Sequence, residues 1–141
     1  VRQFVMHLDD DRIVEAIREA ELRTSGEIRV YVSKGKALEP LNSAIEQFKR
    51  MGMTQTRERN GVLIFVAPES QTFAIVGDEG IHQKCGADFW NAIVDAMRTH
   101  FRENPTNAIV HAIATAGENL AKHFPRREDD RNELPDAVER G

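Results

Sequence analysis

The sequence predicts an α/β fold, an α/β/α sandwich in which helices cover both faces of a small mixed sheet. Apolar residues recur at helical spacing in four segments, and alternating or continuous apolar runs mark three strands between them. The elements follow the order α-β-α-β-β-α-α, which has too few strands to close a barrel. The chain has 141 residues, of which 40% are hydrophobic and concentrated in these segments, as expected for one folded domain.

The first half of the chain predicts a helix, a strand and a second helix. Three aspartates at residues 9–11 precede an amphipathic stretch with Ile13 and Ile17 on one face, so we expect them to cap a helix. Residues 27–33 alternate between apolar and polar side chains, which is typical of a half-buried strand. Residues 41–51 return to helical spacing and predict the second helix.

The second half predicts a hairpin and two helices. Residues 62–66 form a continuous apolar run, which indicates a strand covered on both faces. A short polar turn at 67–71 leads to a strand at 72–76, so the two strands must form an antiparallel hairpin. Residues 85–101 predict one long, well-buried helix, and residues 109–124 predict the last one.

Two segments differ in composition. Residues 1–125 predict a single α/β domain. Residues 126–141 predict a charged tail that we expect to be flexible, with the NELP stretch at residues 132–135 within it. The sequence contains no internal repeat and no low-complexity tract.

Charge and hydropathy argue against two classes of protein. The net charge is −4, the pI is about 5.7 and no basic stripe is present, so we expect no nucleic-acid partner. No apolar run approaches the roughly 18–20 residues that span a bilayer, so we expect no membrane span. Cys85 is the only cysteine, which excludes an internal disulfide and fits a buried thiol in a cytoplasmic protein. The chain starts at Val1 rather than Met, which leaves an upstream segment open.

The predicted strand directions place a set of polar residues at one edge of the sheet. A right-handed crossover makes the first two strands parallel, so both begin at the same edge. The hairpin then returns the third strand to that edge. We therefore expect the following residues to lie along this edge together: Ser25, Gly26, Glu27, Asn60, Asp78 and Glu79.

This set of side chains has two interpretations. Carboxylates in one place repel each other, and a divalent cation resolves the conflict, since calcium accepts carboxylate, amide and backbone oxygens together. Asp78, Glu79, Glu27 and Asn60 are then the metal ligands. Alternatively, Asp78 or Glu79 simply caps the following helix, and Arg29 and Arg59 neutralise the acids.

Three longer stretches carry a resemblance to a known family. They are SGEIRV at 25–30, RNGVLIFVA at 59–67 and FAIVGDEGI at 73–81, followed by Trp90 and Phe101. In this order and spacing the chain, from about residue 13 to 124, resembles the TPM domain family, whose members include the thylakoid lumen acid phosphatase of photosystem II repair. The opening stretch and NELP at 132–135 resemble its small, single-domain bacterial branch.

The resemblance implies an α/β/α sandwich that binds divalent metal, mostly calcium, near the strand ends, and acid phosphatase activity for some members. This chain departs from the family pattern at two places. Many relatives carry Asp where Arg59 stands, and many carry Gly-Leu-Glu where Gly80, Ile81 and His82 stand. Each departure removes an oxygen atom that could bind the metal. Asp78 and Glu79 are the residues that would replace these ligands.

The sequence lacks the motifs of several other classes of catalytic and metal site. A cysteine phosphatase needs Cys-x5-Arg, but Asn91 stands at the arginine position after Cys85. No Gly-x-Ser-x-Gly elbow and no phosphate-binding glycine loop with lysine occur. No two histidines have the helical spacing of a zinc pair, and we expect His82 to be a solvated residue of a first helical turn. Trp90 and Phe101 are expected in the core.

The sequence therefore predicts a small domain that binds a divalent cation weakly, calcium first among the candidates, in an accessory or interaction role. One alternative is a metal-dependent acid phosphatase, which would use metal-activated water at the same edge. The other is a metal-free scaffold for an unidentified protein partner. Whether the domain is an enzyme stays open at this stage, as does its catalytic residue.

Overall fold

Helices and strands alternate along the first half of the chain and are followed by three helices and a short last strand. The computed structural model describes residues 8–126 and 138–140. The elements are α1 (Asp10–Glu21), β1 (Glu27–Val32), α2 (Pro40–Arg50), β2 (Gly61–Ala67), β3 (Thr72–Gly77), α3 (Glu79–Cys85), α4 (Ala87–His100), α5 (Pro105–His123) and β4 (Val138–Arg140), with a short 3-10 helix at Met53–Gln55.

The strands form one mixed sheet in the order β3-β2-β1-β4. β1 lies parallel to β2, with Glu27 opposite Gly61, as the predicted crossover through α2 requires. β2 and β3 form the predicted antiparallel hairpin, with Val62 opposite Gly77. The α/β fold and the mixed sheet expected from the sequence are therefore confirmed.

Helices cover both faces of the sheet. On one face α1, α4 and α5 enclose the main core together with the apolar side chains of β1 and β2, which are Ile28, Val30, Val32, Val62, Ile64 and Val66. On the other face α2 buries Ala44 and Phe48 near Leu63 and Phe65. β2 is buried along its whole length because it lies under helices on both sides, as its continuous apolar run predicted.

α1 begins where the three aspartates predicted. Asp9 is the N-cap, and its carboxylate accepts the Arg12 N–H at 3.2 Å. The next two aspartates lie in the first turn, where negative charge suits the helix dipole. Ile13 and Ile17 are fully buried, and burial of each contributes roughly 1.5–3 kcal/mol.

α5 begins at Pro105, four residues before the predicted start of the last helix at 109. Asn104 caps it by accepting the Asn107 N–H at 3.1 Å, and Pro105 occupies the first turn, where a missing N–H costs no hydrogen bond. Its buried face packs against α1 and α4 in the main core. No helix within residues 8–126 and 138–140 combines the length and the apolar composition that crossing a bilayer requires.

The helix predicted at residues 85–101 agrees with α4 to within two residues, but the separate helix before it was missed. Two helices, α3 and α4, occupy the region from Glu79 to His100, and Gly86 separates them with a φ of 71°. With a ψ of −166° this backbone is not helical, and glycine adopts it readily, so α3 ends there. The apolar spacing was right for α4 itself, where Phe89 and Ile93 are buried.

Part of the segment predicted as a flexible tail is a strand. β4 pairs in parallel with β1, with Val138 opposite Val30, and Val138 packs against the main core. A strand of three residues has no periodicity from which it could be predicted. The rest of the predicted tail, residues 127–137 and 141 with the NELP stretch, lies outside the described residues.

Candidate functional site

The strand directions gather polar residues at one end of the sheet. β1 and β2 start there and β3 ends there. The Asp78 N–H donates to the Gly61 carbonyl at 3.0 Å, and the Glu27 N–H donates to the Asn60 carbonyl at 3.4 Å. The predicted placement of these backbones at a single edge is therefore confirmed. We call this edge the strand-end rim, which comprises residues 25–27, 58–60 and 78–80.

Arg59 holds two of the predicted site carboxylates. Its guanidinium forms a bidentate pair with Asp78, with Nε 2.6 Å from Oδ2 and Nη2 2.7 Å from Oδ1. Its Nη1 also lies 3.2 Å from Oε1 of Glu79. Only 5% of the Asp78 side chain is exposed, against 63% for Glu79, so water screens the second pair more strongly. The hydrogen bond to Asp78 raises the pKa of Arg59.

Asp78 is at the same time the N-cap of α3. Its Oδ1 accepts the Glu79 N–H at 2.8 Å, and its carboxylate lies where the helix dipole favours negative charge. The alternative drawn from the sequence, a cap with Arg59 as the neutralising cation, is therefore confirmed for Asp78. A polar strand end between two glycines thus has a structural role that requires no ligand.

A close backbone contact holds Arg59 beside Asp78. The Gly80 N–H donates to the Arg59 carbonyl at 2.9 Å, and a Cβ atom on Gly80 would lie 2.2 Å from the Glu58 carbonyl oxygen. Only glycine permits this approach. Arg59 has a φ of 51°, so the loop before β2 turns sharply at this contact. The ion pair between Arg59 and Asp78 therefore depends on main-chain packing and not on side chains alone.

Asn60 belongs to a second polar cluster on the rim. Its amide nitrogen lies 3.1 Å from Oε2 of Glu58 and 3.3 Å from Oγ of Ser25. The Ser25 hydroxyl donates to the same Glu58 oxygen at 2.7 Å. Glu58 is the acid one step before Arg59, and it adds a fourth carboxylate to the rim. The amide group of Asn60 is engaged here rather than with Asp78.

Glu27 pairs with a buried arginine rather than with Arg59. Its carboxylate lies 3.5 Å from Nη2 of Arg29, and Nη1 of Arg29 lies 2.7 Å from Glu21. Glu21 also accepts the Ile28 N–H at 3.0 Å. All three charged side chains are at most 7% exposed. The structure thus brings Asp78 and Glu79 together on Arg59 and gives Glu27 a separate partner.

Glu21 was missed in the sequence, although a signal for it was present. It lies four residues after Ile17 and eight after Ile13, so it falls on the apolar face of α1. A carboxylate on a buried helical face needs a cation nearby. The arginine at an alternating position of the adjacent strand, Arg29, is the candidate that this reasoning would have selected.

The rim residues fit a divalent cation only if Arg59 moves. Carboxylate and carbonyl oxygens are the ligands that calcium prefers. Among the described residues, however, no group of three or more His, Cys, Asp or Glu side chains is arranged to hold an ion. The guanidinium of Arg59 lies against both Asp78 and Glu79, where an incoming cation would have to bind. Metal binding at this edge stays a prediction.

A groove of about 480 Å³ adjoins the rim, between α2 on one side and α3 and α4 on the other. Ile75, Val76 and Gly77 of β3 contribute to it. Leu41 and Ile45 of α2 line it and are 54% and 39% exposed. Its polar lining residues are Lys49, Thr54, Arg59, Asp78 and His82. Leu41 and Ile45 follow the same helical spacing as the buried Ala44 and Phe48, so the groove could not be predicted from the sequence.

Trp90 forms part of the wall of the groove opposite α2. It packs against the main core, as expected, but it is only half-buried. Its indole stands over β3, since a Cβ atom on Gly77 would come within 2.1 Å of Cη2. Its Nε1 donates to Nδ1 of His82 at 3.3 Å, so His82 is held by Trp90 rather than simply solvated. Phe101 lies in the main core, as predicted.

Cys85 does not have the properties of an activated nucleophile. It is half-buried at the end of α3, and burial raises the pKa of its thiol, which lowers the thiolate fraction at neutral pH. The neighbouring Lys84 opposes this effect only in part. The expectation of a structural thiol is consistent with this environment.

Comparisons with known proteins return a family model and solved structures similar to this chain. The TPM domain model matches residues 3–119. The NMR structure of the BA42 protein from the psychrophilic bacterium Bizionia argentinensis is 39% identical over 99% of both chains, with a TM-score of 0.90. The N-terminal domain of a protein from P. gingivalis shares the fold, with 15% identity over 86% of this chain and 83% of its own and a TM-score of 0.63.

The curated proteins contain no match to this chain. The family model nevertheless spans most of the sequence, including all of the strand-end rim, and the likeness to BA42 extends over nearly the whole chain. This protein belongs to the TPM domain family.

Proposed function

We propose that this domain binds a divalent cation weakly at the strand-end rim, in competition with Arg59, and serves an accessory or interaction role. The observation that carries the proposal is the position of Arg59, whose guanidinium binds Asp78 and Glu79 as a tethered cation would. Calcium is the ion whose preference for carboxylate and carbonyl oxygens suits these residues best. The family resemblance implies the same chemistry at the strand ends.

Competition with Arg59 explains why the binding should be weak. An ion that takes Asp78 as a ligand must displace a bidentate guanidinium that is already hydrogen-bonded to both carboxylate oxygens. Asp78 is buried, so it cannot take an ion and keep Arg59 without crowding two cations together. Glu79, with a 63% exposed side chain, would be the more mobile second ligand.

Thermal melting of the Arg59→Asn variant tests the proposal. Asparagine tolerates the left-handed backbone at this position and removes the guanidinium. We expect calcium to raise the melting temperature of the variant more than that of the parent protein, with an apparent affinity about tenfold higher. The measurement is the melting temperature in calcium, in magnesium and in EDTA, compared within each protein.

Two further variants control this experiment. Arg50→Asn removes an exposed arginine of α2 and changes the net charge equally, so it should leave the calcium shift unchanged. Asp78→Asn should abolish the shift. If neither the parent nor Arg59→Asn responds to calcium or magnesium up to about 10 mM, which is beyond the roughly 0.1–1 mM range of weak extracellular-type sites, the domain has no cation site at the rim.

The phosphatase alternative depends on the same site. It would require water activated by a metal at the rim, because Cys85 is not an activated thiol. Turnover of an aryl phosphate that persists through repurification and disappears in Asp78→Asn would support it. Turnover that is unchanged in Asp78→Asn would arise elsewhere. The groove beside β3 favours the remaining alternative, a scaffold that binds a protein segment without metal.

A further inference from the structure

β3 is the last strand on its side of the sheet, and its outer edge carries backbone groups that β2 does not use. The hydrogen bond from Asp78 to Gly61 sets the alternation, because hydrogen-bonded pairs recur at every second residue of an antiparallel ladder. Phe73, Ile75 and Gly77 therefore direct their N–H and C=O groups outward. No other part of the chain within residues 8–126 and 138–140 hydrogen bonds to these groups.

This edge lacks the features that usually prevent strand pairing. Native edge strands are commonly protected by a charged side chain, a proline or a bulge. β3 reads TFAIVG and contains neither charge nor proline, and its register against β2 is continuous from Thr72 to Gly77. Each of its six residues is only half-buried. An extended chain therefore finds a complete row of donors and acceptors at this edge.

The groove supplies apolar walls on both sides of the edge. α2 presents Leu41 and Ile45, one helical turn apart, and α4 presents the indole of Trp90. The side chains of an added strand point alternately to the two faces of the sheet. One set would contact Leu41 and Ile45, and the other would contact Trp90. The volume of about 480 Å³ lies within the roughly 300–1,000 Å³ of ligand-binding clefts.

Charge distinguishes the two ends of the groove. α2 starts near the beginning of β3, where the Thr72 hydroxyl donates to the Ala37 carbonyl at 2.9 Å, and its last turn carries Lys49. Lys49 forms no ion pair within the described part of the chain. The buried acid at that end, Asp78, is already neutralised by Arg59. At that end, Lys49 is therefore the charged group that is available to pair with a ligand carboxylate.

We propose that an extended peptide segment binds in this groove as an added strand on β3, with apolar side chains between α2 and Trp90 and an acidic group near Lys49. A second copy of this chain fits less well, since it would bring its own α2 and Trp90 to an edge that is already flanked by helices on both faces. A single strand fills the space between these walls and satisfies the outward groups of Phe73, Ile75 and Gly77.

The test is an NMR titration in EDTA, which keeps it independent of cation binding. The probe is a synthetic peptide of about eight residues, alternating valine and threonine with glutamate at both ends. We expect the amides of Phe73, Ile75 and Gly77 to shift and to gain protection from hydrogen exchange by at least about tenfold. The amides of Ala74 and Val76 already bond to β2 and should gain much less.

Matched peptides and variants separate the contributions. The same peptide with every amide N-methylated should not bind, and one with lysine ends should bind about tenfold more weakly. Ile45→Asp and Lys49→Glu should each weaken binding, whereas Leu22→Ser, at an exposed apolar residue outside the groove, should not. The proposal is overturned if no peptide binds at about 1 mM, if the N-methylated peptide binds equally, or if these amides are protected in a dimer of the free protein.

Discussion

Two arginines neutralise acidic side chains in this domain at different depths. Arg59 lies at the surface with 39% of its side chain exposed, where it holds Asp78 beside the start of α3. Arg29 is 2% exposed and lies between Glu21 and Glu27. The first pair is open to competition from solvent ions, and the second is not. The same residue type therefore supports a candidate binding site in one place and a purely structural cluster in the other.

At this scale we predict a large effect of Arg29→Met on stability. The substitution keeps the volume of the side chain but leaves the carboxylates of Glu21 and Glu27 buried without the guanidinium between them. Removal of one partner from a buried ion cluster costs about 3–5 kcal/mol, because the remaining charges stay desolvated. The measurement is the free energy of unfolding in urea at neutral pH.

Arg50→Met is the matched comparison for Arg29→Met. Arg50 pairs with Glu46 one turn earlier on α2, and both side chains are about two-thirds exposed, at 69% and 65%. An exposed pair of this type contributes only about 0.3–0.5 kcal/mol. If Arg29→Met destabilises the protein no more than Arg50→Met does, the buried cluster has no structural role.

The junction between β3 and α3 shows how one element positions the next. β3 ends at Gly77, Asp78 caps α3, and Gly80 packs against the loop that precedes β2. Asp78 is thus the only residue between the end of β3 and the start of α3. Because this junction also contacts the carbonyls of Glu58 and Arg59, it orients the guanidinium toward Asp78. The positions of the charged side chains on the rim therefore depend on the backbone packing at this junction.

For this junction we predict that Gly80→Ala destabilises the domain by about 3 kcal/mol, at the upper end of the cost of overpacking. The new Cβ atom would lie 2.2 Å and 2.6 Å from two backbone oxygens, which cannot rotate away as a side chain does. Gly52→Ala should cost only about 1–2 kcal/mol, since its Cβ would meet no atom closer than 3.8 Å and only its left-handed backbone conformation is unfavourable. Urea unfolding of both variants measures the difference, and equal losses would contradict the close contact at Gly80.

At the scale of the whole molecule, the last described strand packs beside the first helix and the first strand. β4 extends the sheet beyond β1, and Arg140 forms a bidentate pair with Asp10 in the first turn of α1. The sheet thus has β3 at one edge and β4 at the other. The two edges differ, because β4 is a short strand with two charged residues and β3 is longer and uncharged. Only the β3 edge has the properties of a docking strand.

We predict that Val138→Asp detaches β4 and leaves the rest of the sheet folded. Val138 packs against the main core, where an unpaired carboxylate is unfavourable. In β1 the amides of Val30 and Val32 face β4, because the Glu27 and Ser33 N–H groups bond to β2. Hydrogen exchange should therefore accelerate at Val30 and Val32 but not at Arg29 and Tyr31. Equal exchange in the variant and the parent protein would show that β4 does not protect this edge.

Most of the fold could be predicted from the sequence because local patterns determine it. Alternation at 27–33, the apolar run at 62–66 and the short turn at 67–71 correspond to β1, β2 and the hairpin. The break between α3 and α4 could not be predicted from periodicity, since it depends on the backbone conformation of Gly86. β4 could not be predicted either, because three residues become a strand only when a partner strand is available.

Part of the candidate site could likewise be predicted from the sequence, and part could not. Chain direction alone placed Glu27, Asn60, Asp78 and Glu79 along one edge, and the structure agrees for their backbones. The partner of each side chain depended on residues distant in sequence, such as Glu21 for Arg29. The groove beside β3 was also missed, since the apolar face of α2 is wider than the sheet surface that it covers.

The sequence by itself determined the helices, the strands and their directions, because spacing and turn length act between neighbouring residues. Only the tertiary structure decided which charges meet and which apolar side chains stay uncovered. The physical reason is distance: an ion pair or a groove forms between groups that the folded chain brings together, and their partners are set by packing. Arg59 beside Asp78 and the open edge of β3 both arise in this way.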